Sequence, residues 1–225
     1  MINNFILSFY TTQFIILMEY INIIYTRKQV YNNNTLDTLY KQALLSNFIN
    51  LWLLGPLAYY VAVEYLSSVP FPVIISAPGM IAAQGIIYNE GHKYLHNSEL
   101  YWIHKFHHTF NNTSFVLPIS ANAVSIQEFV LLYILPILSG VCLFRPSENV
   151  LITTTMMISI ANITIHSPIL YNIKYPEFMV SPQKHLDHHN KSIKSHYSAP
   201  IIDTQYLLDK LKKPNNHTEP IKKID

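Results

Sequence analysis

The chain has 225 residues, of which 50% are hydrophobic and 12% are charged, whereas a typical soluble protein has about 25% charged residues. This length allows one domain with a substantial core but not two comfortable ones. A formal net charge of +2 without a basic run interleaved with aromatic residues argues against nucleic-acid binding. The single cysteine excludes an internal disulfide and a thiolate-rich metal site.

Five apolar segments approach the roughly 20 residues that a helix needs to cross a bilayer. In chain order they are 5–24, 43–63, 69–88, 129–144 and 150–165. Gln13 and Glu19 interrupt the first segment, and Pro78 is expected to kink the third. Buried helices of a soluble bundle are the alternative, but few charged residues lie between the segments to cover so much apolar surface in water. We therefore predict an all-α protein, an integral membrane helical bundle of about four to five apolar helices.

Lysine and arginine residues are concentrated in alternate loops, and this pattern predicts the orientation of the segments. Basic residues follow the first, third and fifth segments, whereas the link between the second and third segments has none. Because positively charged loops stay in the cytosol, the residues after the third and fifth segments are expected on the cytosolic side. The histidine-rich stretches fall on that same side.

The eleven histidines all follow Gly91, and most of them occur in three short motifs. One H-x-x-x-H motif and two H-x-x-H-H motifs are formed by His92 and His96, by His104, His107 and His108, and by His185, His188 and His189. On a helix, residues i and i+4 share a face, and the residues at i+3 and i+4 flank residue i, so the three imidazoles of an H-x-x-H-H motif occupy a wedge of about 100°. The letters "NSE" between the first two motifs offer a helix break. Without it, His92 and His104 would be about 18 Å apart along one axis.

The eight imidazoles of these motifs, together with His166, are too many for one metal ion and about right for two. Imidazole ligation without thiolates suits zinc, copper, iron or nickel. Neutral imidazoles leave the metal charge uncancelled, so nearby acidic residues are candidates to bind the outer side of the ligands: Asp187, Glu90 and Glu99. His196 is either a solvated residue or a further partner of this kind. The sequence thus predicts a cytosolic histidine-rich helical cap that holds a dimetal site.

These motifs resemble the fatty acid hydroxylase/sterol desaturase superfamily of membrane di-iron oxidases, which includes C4-methylsterol oxidases and fatty acid hydroxylases. The stretch "ELYWIHKFHH" is similar to the second histidine box of that family, "HKYLH" to the first, "NITIH" to an intervening Asn/His element and "HLDHH" to the final box. The stretch "SANAVSIQE" keeps a glutamate of the family, Glu128. By this resemblance the metal ligands are His92, His96, His104, His107, His108, His166, His185, His188 and His189.

One residue departs from the family pattern within the ligand set. Asn162 stands where some members carry a further histidine. We therefore count Asn162 as a possible partner of the ligands rather than as a ligand.

The resemblance also implies a reaction. Two iron ions would activate O2 for attack on a C–H bond of a sterol or fatty-acyl lipid, giving a hydroxyl group or a double bond, in lipid biosynthesis. Electrons would come from NAD(P)H through a carrier such as cytochrome b5. The lipid, the choice between hydroxylation and desaturation, and the oligomeric state stay open.

Two other classes of protein are alternatives to a lipid oxidase. A non-catalytic membrane metal-binding or transport protein, or a degenerate member of the family, is the main alternative; the apolar segments lack a file of acidic residues or histidines that would form an ion path. A zinc hydrolase would need a glutamate beside the metal, as in H-E-x-x-H, and no histidine motif contains one.

The predicted organisation has three parts. Residues 1–68 form N-terminal membrane anchor helices, 69–205 a catalytic domain with the histidine boxes, and 206–225 a polar cytosolic tail. The tail ends in K-K-x-x, with Lys222 and Lys223, which resembles a di-lysine retrieval signal and predicts the endoplasmic reticulum with a cytosolic C-terminus. An ordinary lysine-rich tail is the alternative.

Overall fold

The computed structural model describes residues 3–26, 34–66, 69–97, 99–111, 116–191 and 196–212. Within these ranges the chain is helical, and extended backbone pairs at one isolated bridge between Met179 and Ile202. The prediction of an all-α protein is confirmed. The tail signal at Lys222 and Lys223 lies outside the described residues, so it stays a prediction.

The helices follow one another along the chain with three π-helical turns inserted. In order they are α1 (Asn3–Thr26), α2 (Asn34–Phe48), a π turn (Ile49–Leu54), α3 (Gly55–Val61), a π turn (Ala62–Leu66), α4 (Val73–Asn97), α5 (Tyr101–His104), α6 (Ile126–Glu128), a π turn (Phe129–Ile134), α7 (Leu135–Phe144), α8 (Glu148–Ile165), α9 (Pro182–Lys191) and α10 (Thr204–Lys212). The π turns continue the neighbouring α-helices, so that 34–66 and 126–144 are each one unbroken helical rod.

Four of these helical rods are long and apolar enough to cross a membrane. They are Phe5–Ile24, Asp37–Glu64, Ile126–Phe144 and Glu148–Ile165. Their outer surfaces carry exposed large apolar side chains, for example Ile16, Leu53 and Leu143, and a bilayer solvates such side chains whereas water does not. The chain is therefore an integral membrane protein. The third predicted segment, 69–88, lies largely within α4, which is not among the four candidate spans.

Helix α4 packs along α7, in the most extensive contact between two helices of the described chain. Gly140 on α7 permits this approach, because a Cβ atom at that position would lie 3.2 Å from the Cα of Met80. At Gly91, an added Cβ would lie 2.8 Å from the side chain of Leu132, in the π turn that precedes α7. Small residues let helix backbones approach closely, and this packing fixes the helix that carries the first histidine motif.

Polar side chains of the N-terminal helices bind the backbone of the link that precedes α6. Glu19 accepts a hydrogen bond from the N–H of Ile119 (2.9 Å), and Asn47 donates one to the carbonyl of the same residue (2.9 Å). Asn50 donates to the carbonyl of Val124 (3.1 Å). Buried backbone groups need such partners, above all where water is excluded. The polar residues that interrupt the apolar segments therefore attach the membrane helices to the rest of the protein.

Candidate metal centre

The nine histidines predicted as ligands come together as two adjacent clusters. Each histidine of a cluster contributes one ring nitrogen, and all these nitrogen atoms lie within 4.8 Å of one another. The first cluster consists of His92, His96, His104, His108 and His188, and the second consists of His107, His166, His185 and His189. Among the described residues, no further histidine, cysteine or acidic residue belongs to either cluster.

Each H-x-x-H-H motif divides its histidines between the two clusters. His104 and His108 belong to the first cluster, while His107 turns to the second. The final motif does the reverse, with His185 and His189 in the second cluster and His188 in the first. Residues i and i+4 lie about 40° apart around a helix. The residue at i+3 lies on the opposite side of residue i, away from residue i+4. This spacing therefore supplies two ligands to one site and one to its neighbour.

The local backbone places these motifs on short, separate elements. His92 and His96 occupy the last two turns of α4, which ends at Asn97, and α5 ends at His104 after a single turn. His107 begins a short 3-10 helix, His107–Thr109, after a tight turn. The predicted helix break after the first motif is present, although the residue that precedes α5 is Leu100, without a side-chain cap.

The nitrogen atoms of the first cluster are spaced as metal ligands are. The Nε2 atoms of His92, His96 and His104 form a triangle with sides of 3.0, 3.2 and 3.2 Å. Three neutral imidazoles that point at one centre have no arrangement of N–H protons and lone pairs in which all three contacts are hydrogen bonds. A cation about 2.1 Å from each nitrogen, the usual distance for imidazole, would bring three ligands to about this spacing.

The second cluster repeats this arrangement with fewer members. The Nε2 of His166 lies 3.0 Å from that of His185 and 3.5 Å from that of His107.

The Nε2 atoms of His108, in the first cluster, and His189, in the second, are buried without a hydrogen-bond partner among the described residues. Buried nitrogen atoms that lack a partner are costly unless a ligand satisfies them. The residues of both clusters therefore fit a metal ion each.

Burial keeps these imidazoles in the neutral form that binds metal. It lowers the pKa of His92, His107, His185 and His189 well below the ordinary 6.5, and neighbouring histidines lower it further. The same causes, burial first, lower the pKa of His96 to about 3. For His166, burial lowers the pKa to about 4, although its hydrogen bond to Asn162 opposes the shift. A neutral imidazole has a free lone pair at neutral pH, which ligation requires.

Hydrogen bonds from the outer ring nitrogens orient several of the ligands. The Nδ1 atoms of His92, His166 and His189 lie 3.0, 2.7 and 3.0 Å from backbone carbonyl oxygens, those of Tyr197, Asn162 and Phe110 respectively. A carbonyl accepts a proton from Nδ1, which leaves Nε2 with its lone pair directed into the cluster. The metal-binding tautomer of these three histidines is thus set by the backbone.

Glu128 binds the outer side of a ligand through its carboxylate. Its Oε1 lies 2.7 Å from Nδ1 of His104, and both side chains are almost completely buried. The position of this carboxylate follows from α6, where the side chain of Ser125 accepts a hydrogen bond from the N–H of Glu128 (3.1 Å). The sequence predicts Asp187, Glu90 and Glu99, and not Glu128, as the acidic partners of the ligands. The available signal was an acidic residue at the start of an apolar helix, which is rare without a function.

The other predicted partners of the ligands have varied surroundings. Asn162 holds His166 through its backbone carbonyl, and Asp187 accepts a hydrogen bond from the hydroxyl of Tyr171 (2.9 Å). Glu90 and Glu99 are exposed, and Glu90 accepts a hydrogen bond from the amide of Asn89 (2.9 Å).

His196 is half-buried and lies outside both clusters. Its backbone has φ of 63°, and burial lowers its pKa. Its role next to the ligands stays a prediction.

An apolar cavity lies beside the two clusters and between the membrane helices. Its volume is about 110 Å³, and it is partly open to its surroundings. Two of its lining residues touch the clusters: the ring of Tyr88 is centred 5.3 Å from that of His92, and Asn162 bonds to His166. Most other lining residues are apolar, including Leu7, Leu51, Ile137, Leu138, Leu151 and Ile158.

The comparison with protein families agrees with these features. The family model for fatty acid hydroxylase matches residues 77–207, which is more than half of the chain. No curated protein and no solved structure matches the chain. Members of the matched family are membrane oxidoreductases that act on lipids and are known for histidine boxes that bind iron. The chain therefore belongs to the fatty acid hydroxylase family, within the fatty acid hydroxylase/sterol desaturase superfamily.

Proposed function

We propose that this protein is an O2-dependent lipid oxidase that hydroxylates or desaturates a C–H bond of a sterol or fatty-acyl lipid at a di-iron centre. The observation that carries the proposal is the pair of histidine clusters, with five and four imidazoles, beside an apolar cavity. Membership of the family supports a membrane lipid hydroxylase or desaturase in general. The di-iron centre and a role in lipid biosynthesis are the finer parts of the proposal.

Iron suits the donor set because imidazole nitrogen binds iron readily and no thiolate competes among the described residues. When bound, iron would supply the one-electron and O2 chemistry that side chains lack. Imidazole binds a metal ion in its neutral form, so nine histidine ligands would hold two ions without cancelling their charge. The buried carboxylate of Glu128 would offset part of that charge through His104.

The protein itself contributes orientation and exclusion of water. Backbone carbonyls and Glu128 hold four of the nine ligand rings in one tautomer, so these ligands need little rearrangement to bind metal. The cavity would hold the lipid with its reacting carbon near Tyr88 and Asn162, at the wall shared with the clusters. Apolar walls keep bulk water away from a reactive centre.

We further propose where the protein acts and what it acts with. The basic residues that follow the third and fifth apolar segments support a cytosolic position for the clusters. That position suits electron delivery from NAD(P)H through a carrier such as cytochrome b5. With Lys222 and Lys223 read as a retrieval signal, the membrane is that of the endoplasmic reticulum.

A division of the chain into an anchor (1–68), a catalytic domain (69–205) and a tail (206–225) remains part of the proposal. The family match over 77–207 supports the middle part. The bonds from Glu19, Asn47 and Asn50 to the link before α6 indicate that the anchor also braces the catalytic part.

A metal transporter is supported less well than an oxidase. The described lining of the cavity includes no aspartate, glutamate, histidine, lysine or arginine. Ions crossing a membrane need a file of such groups or of water. The cavity is instead suited to an apolar molecule.

Metal analysis and lipid profiling test the proposed function together. The protein, purified from iron-replete cells under anaerobic conditions, should contain about two iron ions per chain, as nine imidazoles allow. Cells that produce it should accumulate a hydroxylated or desaturated lipid that is missing with the His107→Ala variant. His217→Ala, which changes a histidine of the polar tail that is not among the predicted ligands or their partners, is the matched control and should retain iron and product. Less than one iron per chain, or the same lipids with wild type and His107→Ala, would refute the oxidase.

A further inference from the structure

Helix α8 presents a row of polar side chains to the cavity. Thr155, Ser159 and Asn162 all line it, at intervals of four and three residues. The next step of four residues along the same face leads to His166 in the second cluster. Cavity wall and metal ligand therefore share one face of α8.

Helix α4 presents a similar row. Gln84 and Tyr88 line the cavity four residues apart, and the next step of four leads to His92 in the first cluster. The cavity is thus bounded by two helices. Each of them lines the cavity with polar groups and carries, further toward its C-terminus, a histidine of one cluster.

Two of these polar groups have no hydrogen-bond partner among the residues that the structure describes. The hydroxyl oxygen of Thr155 is buried without a hydrogen bond among the described residues. Gln84 is 4% exposed, and no hydrogen bond within the described chain accounts for its amide. An unsatisfied polar group in a water-poor interior costs free energy. A bound molecule that carries a hydrogen-bonding group would remove this cost.

The electrostatics of the cavity restrict the nature of that group. No charged side chain is found among the described residues that line it. An ionised carboxylate or phosphate would be buried without a counter-charge, which is strongly unfavourable. A hydroxyl or an amide needs only donors and acceptors, which Gln84, Thr155 and Ser159 provide.

The positions of these residues also separate the polar group from the reacting carbon. Along the helices, Gln84 lies about 12 Å from His92 at 1.5 Å per residue. By the same rise, Ser159 and Thr155 lie about 10 and 16 Å from His166. A lipid anchored there would reach the clusters with a part of its skeleton remote from the anchored group.

We propose that the cavity selects a neutral lipid alcohol or amide, whose hydroxyl or amide group is bound by Gln84, Thr155 and Ser159 while a remote C–H bond faces the clusters. This inference rests on the proposed function and adds the chemical class of its substrate. These three residues determine specificity and do not take part in the oxidation.

Lipid binding tests the inference without relying on catalysis. The purified full-length protein in nanodiscs is incubated with tritiated octadecan-1-ol, and octadecanamide, octadecane and octadecanoate are compared as competitors. The alcohol should bind, the amide should compete with it, and the alkane and the carboxylate should compete at least about tenfold less well, because one lost hydrogen bond or one uncompensated buried charge is worth that much. Equal competition by alkane and alcohol would overturn the inference.

Variants locate the bound group. The double variant Gln84→Leu/Thr155→Val should lose about tenfold in affinity for the alcohol and nothing for the alkane, since both changes keep apolar volume and remove hydrogen-bonding groups. Thr153→Val makes one of the same changes on the exposed side of α8 and should bind like wild type. Ser159→Ala, a smaller change, guards against misfolding of the double variant and should weaken alcohol binding in the same direction. Unchanged alcohol affinity in a double variant with the wild-type melting temperature would overturn the inference.

The two hypotheses fail separately. If oxidised lipids form but alcohol and alkane bind alike, the inference is wrong and the oxidase stands. If the alcohol binds selectively through Gln84 and Thr155 but no oxidised lipid is found in iron-loaded protein, the oxidase is wrong and the selective site stands.

Discussion

The carboxylate of Glu128 lies 2.7 Å from Nδ1 of His104, and neither side chain is more than 1% exposed. The pair joins the start of a membrane helix to the end of α5, 24 residues earlier in the chain. A carboxylate in this position fixes the tautomer of the imidazole and makes Nε2 a better ligand. It also brings a negative charge close to a site with no negatively charged ligand among the described residues.

Replacing Glu128 by glutamine should weaken metal binding at the first cluster. The amide keeps the size of the side chain but loses its charge and the strong hydrogen bond to His104, so the affinity for iron or the activity should fall about 10- to 100-fold. Iron titration of the purified variant measures this. Glu90→Gln removes an exposed carboxylate and should have no effect. Wild-type iron affinity in Glu128→Gln would show that the carboxylate is merely structural.

The division of the motifs between two clusters predicts separable loss of iron. His185→Ala leaves three histidines in the second cluster, and the combined changes His92→Ala and His188→Ala leave three in the first. An intact cluster of four or five imidazoles can still bind one ion, so each of these two variants should retain about one of two iron ions. The variant with all three changes should retain none. Elemental analysis combined with Mössbauer spectroscopy distinguishes the two remaining sites. The same iron environment in the first two variants would contradict the assignment.

The stability of the metal-free protein should fall as the solution becomes acidic. The pKa of His166 is lowered from 6.5 to about 4 by burial, so the unfolded chain binds a proton more readily than the folded one between these pH values. Stability that is fully present above pH 6.5 is therefore lost as pH falls, and His166 alone should cost about 2 kcal/mol at pH 5. Thermal unfolding in detergent at pH 7.5 and pH 5 measures the change.

A variant attributes this pH dependence to the buried histidine. His166→Asn removes the titrating group and should show a smaller difference between the two pH values than wild type. Identical pH dependence in the two proteins would mean that groups other than His166 control acid unfolding.

Replacing Asn50 by leucine should loosen the link between the membrane helices and the catalytic part. The change removes the hydrogen bonds to the carbonyls of Asn122 and Val124 and leaves these buried acceptors with fewer partners, at a cost of about 1–3 kcal/mol. Thermal unfolding of the purified protein measures the loss. Gln13→Leu, an exposed amide on α1, is the control and should melt like wild type. Equal melting temperatures for both variants would show that the link does not depend on Asn50.

Local sequence patterns were sufficient to predict much of this protein. Long apolar runs predict membrane helices because the backbone must satisfy its own hydrogen bonds where water is absent. The spacing of the histidines predicts which imidazoles share a helix face, and the structure brings all nine together. The segment 69–88 shows the limit of such patterns, because the helix that contains most of it, α4, begins at Val73 and continues beyond the apolar run to Asn97.

What the sequence determined by itself is thus the direction of each side chain on its own helix, since periodicity is a property of neighbouring residues. Only the tertiary structure decided which imidazoles belong to which cluster, because that depends on the approach of α4, α5, α8 and α9. The same holds for the contact between Glu128 and His104 and for the cavity between α4 and α8. These features arise from close packing at positions such as Gly140, and a few tenths of an ångström there are not encoded in any local pattern.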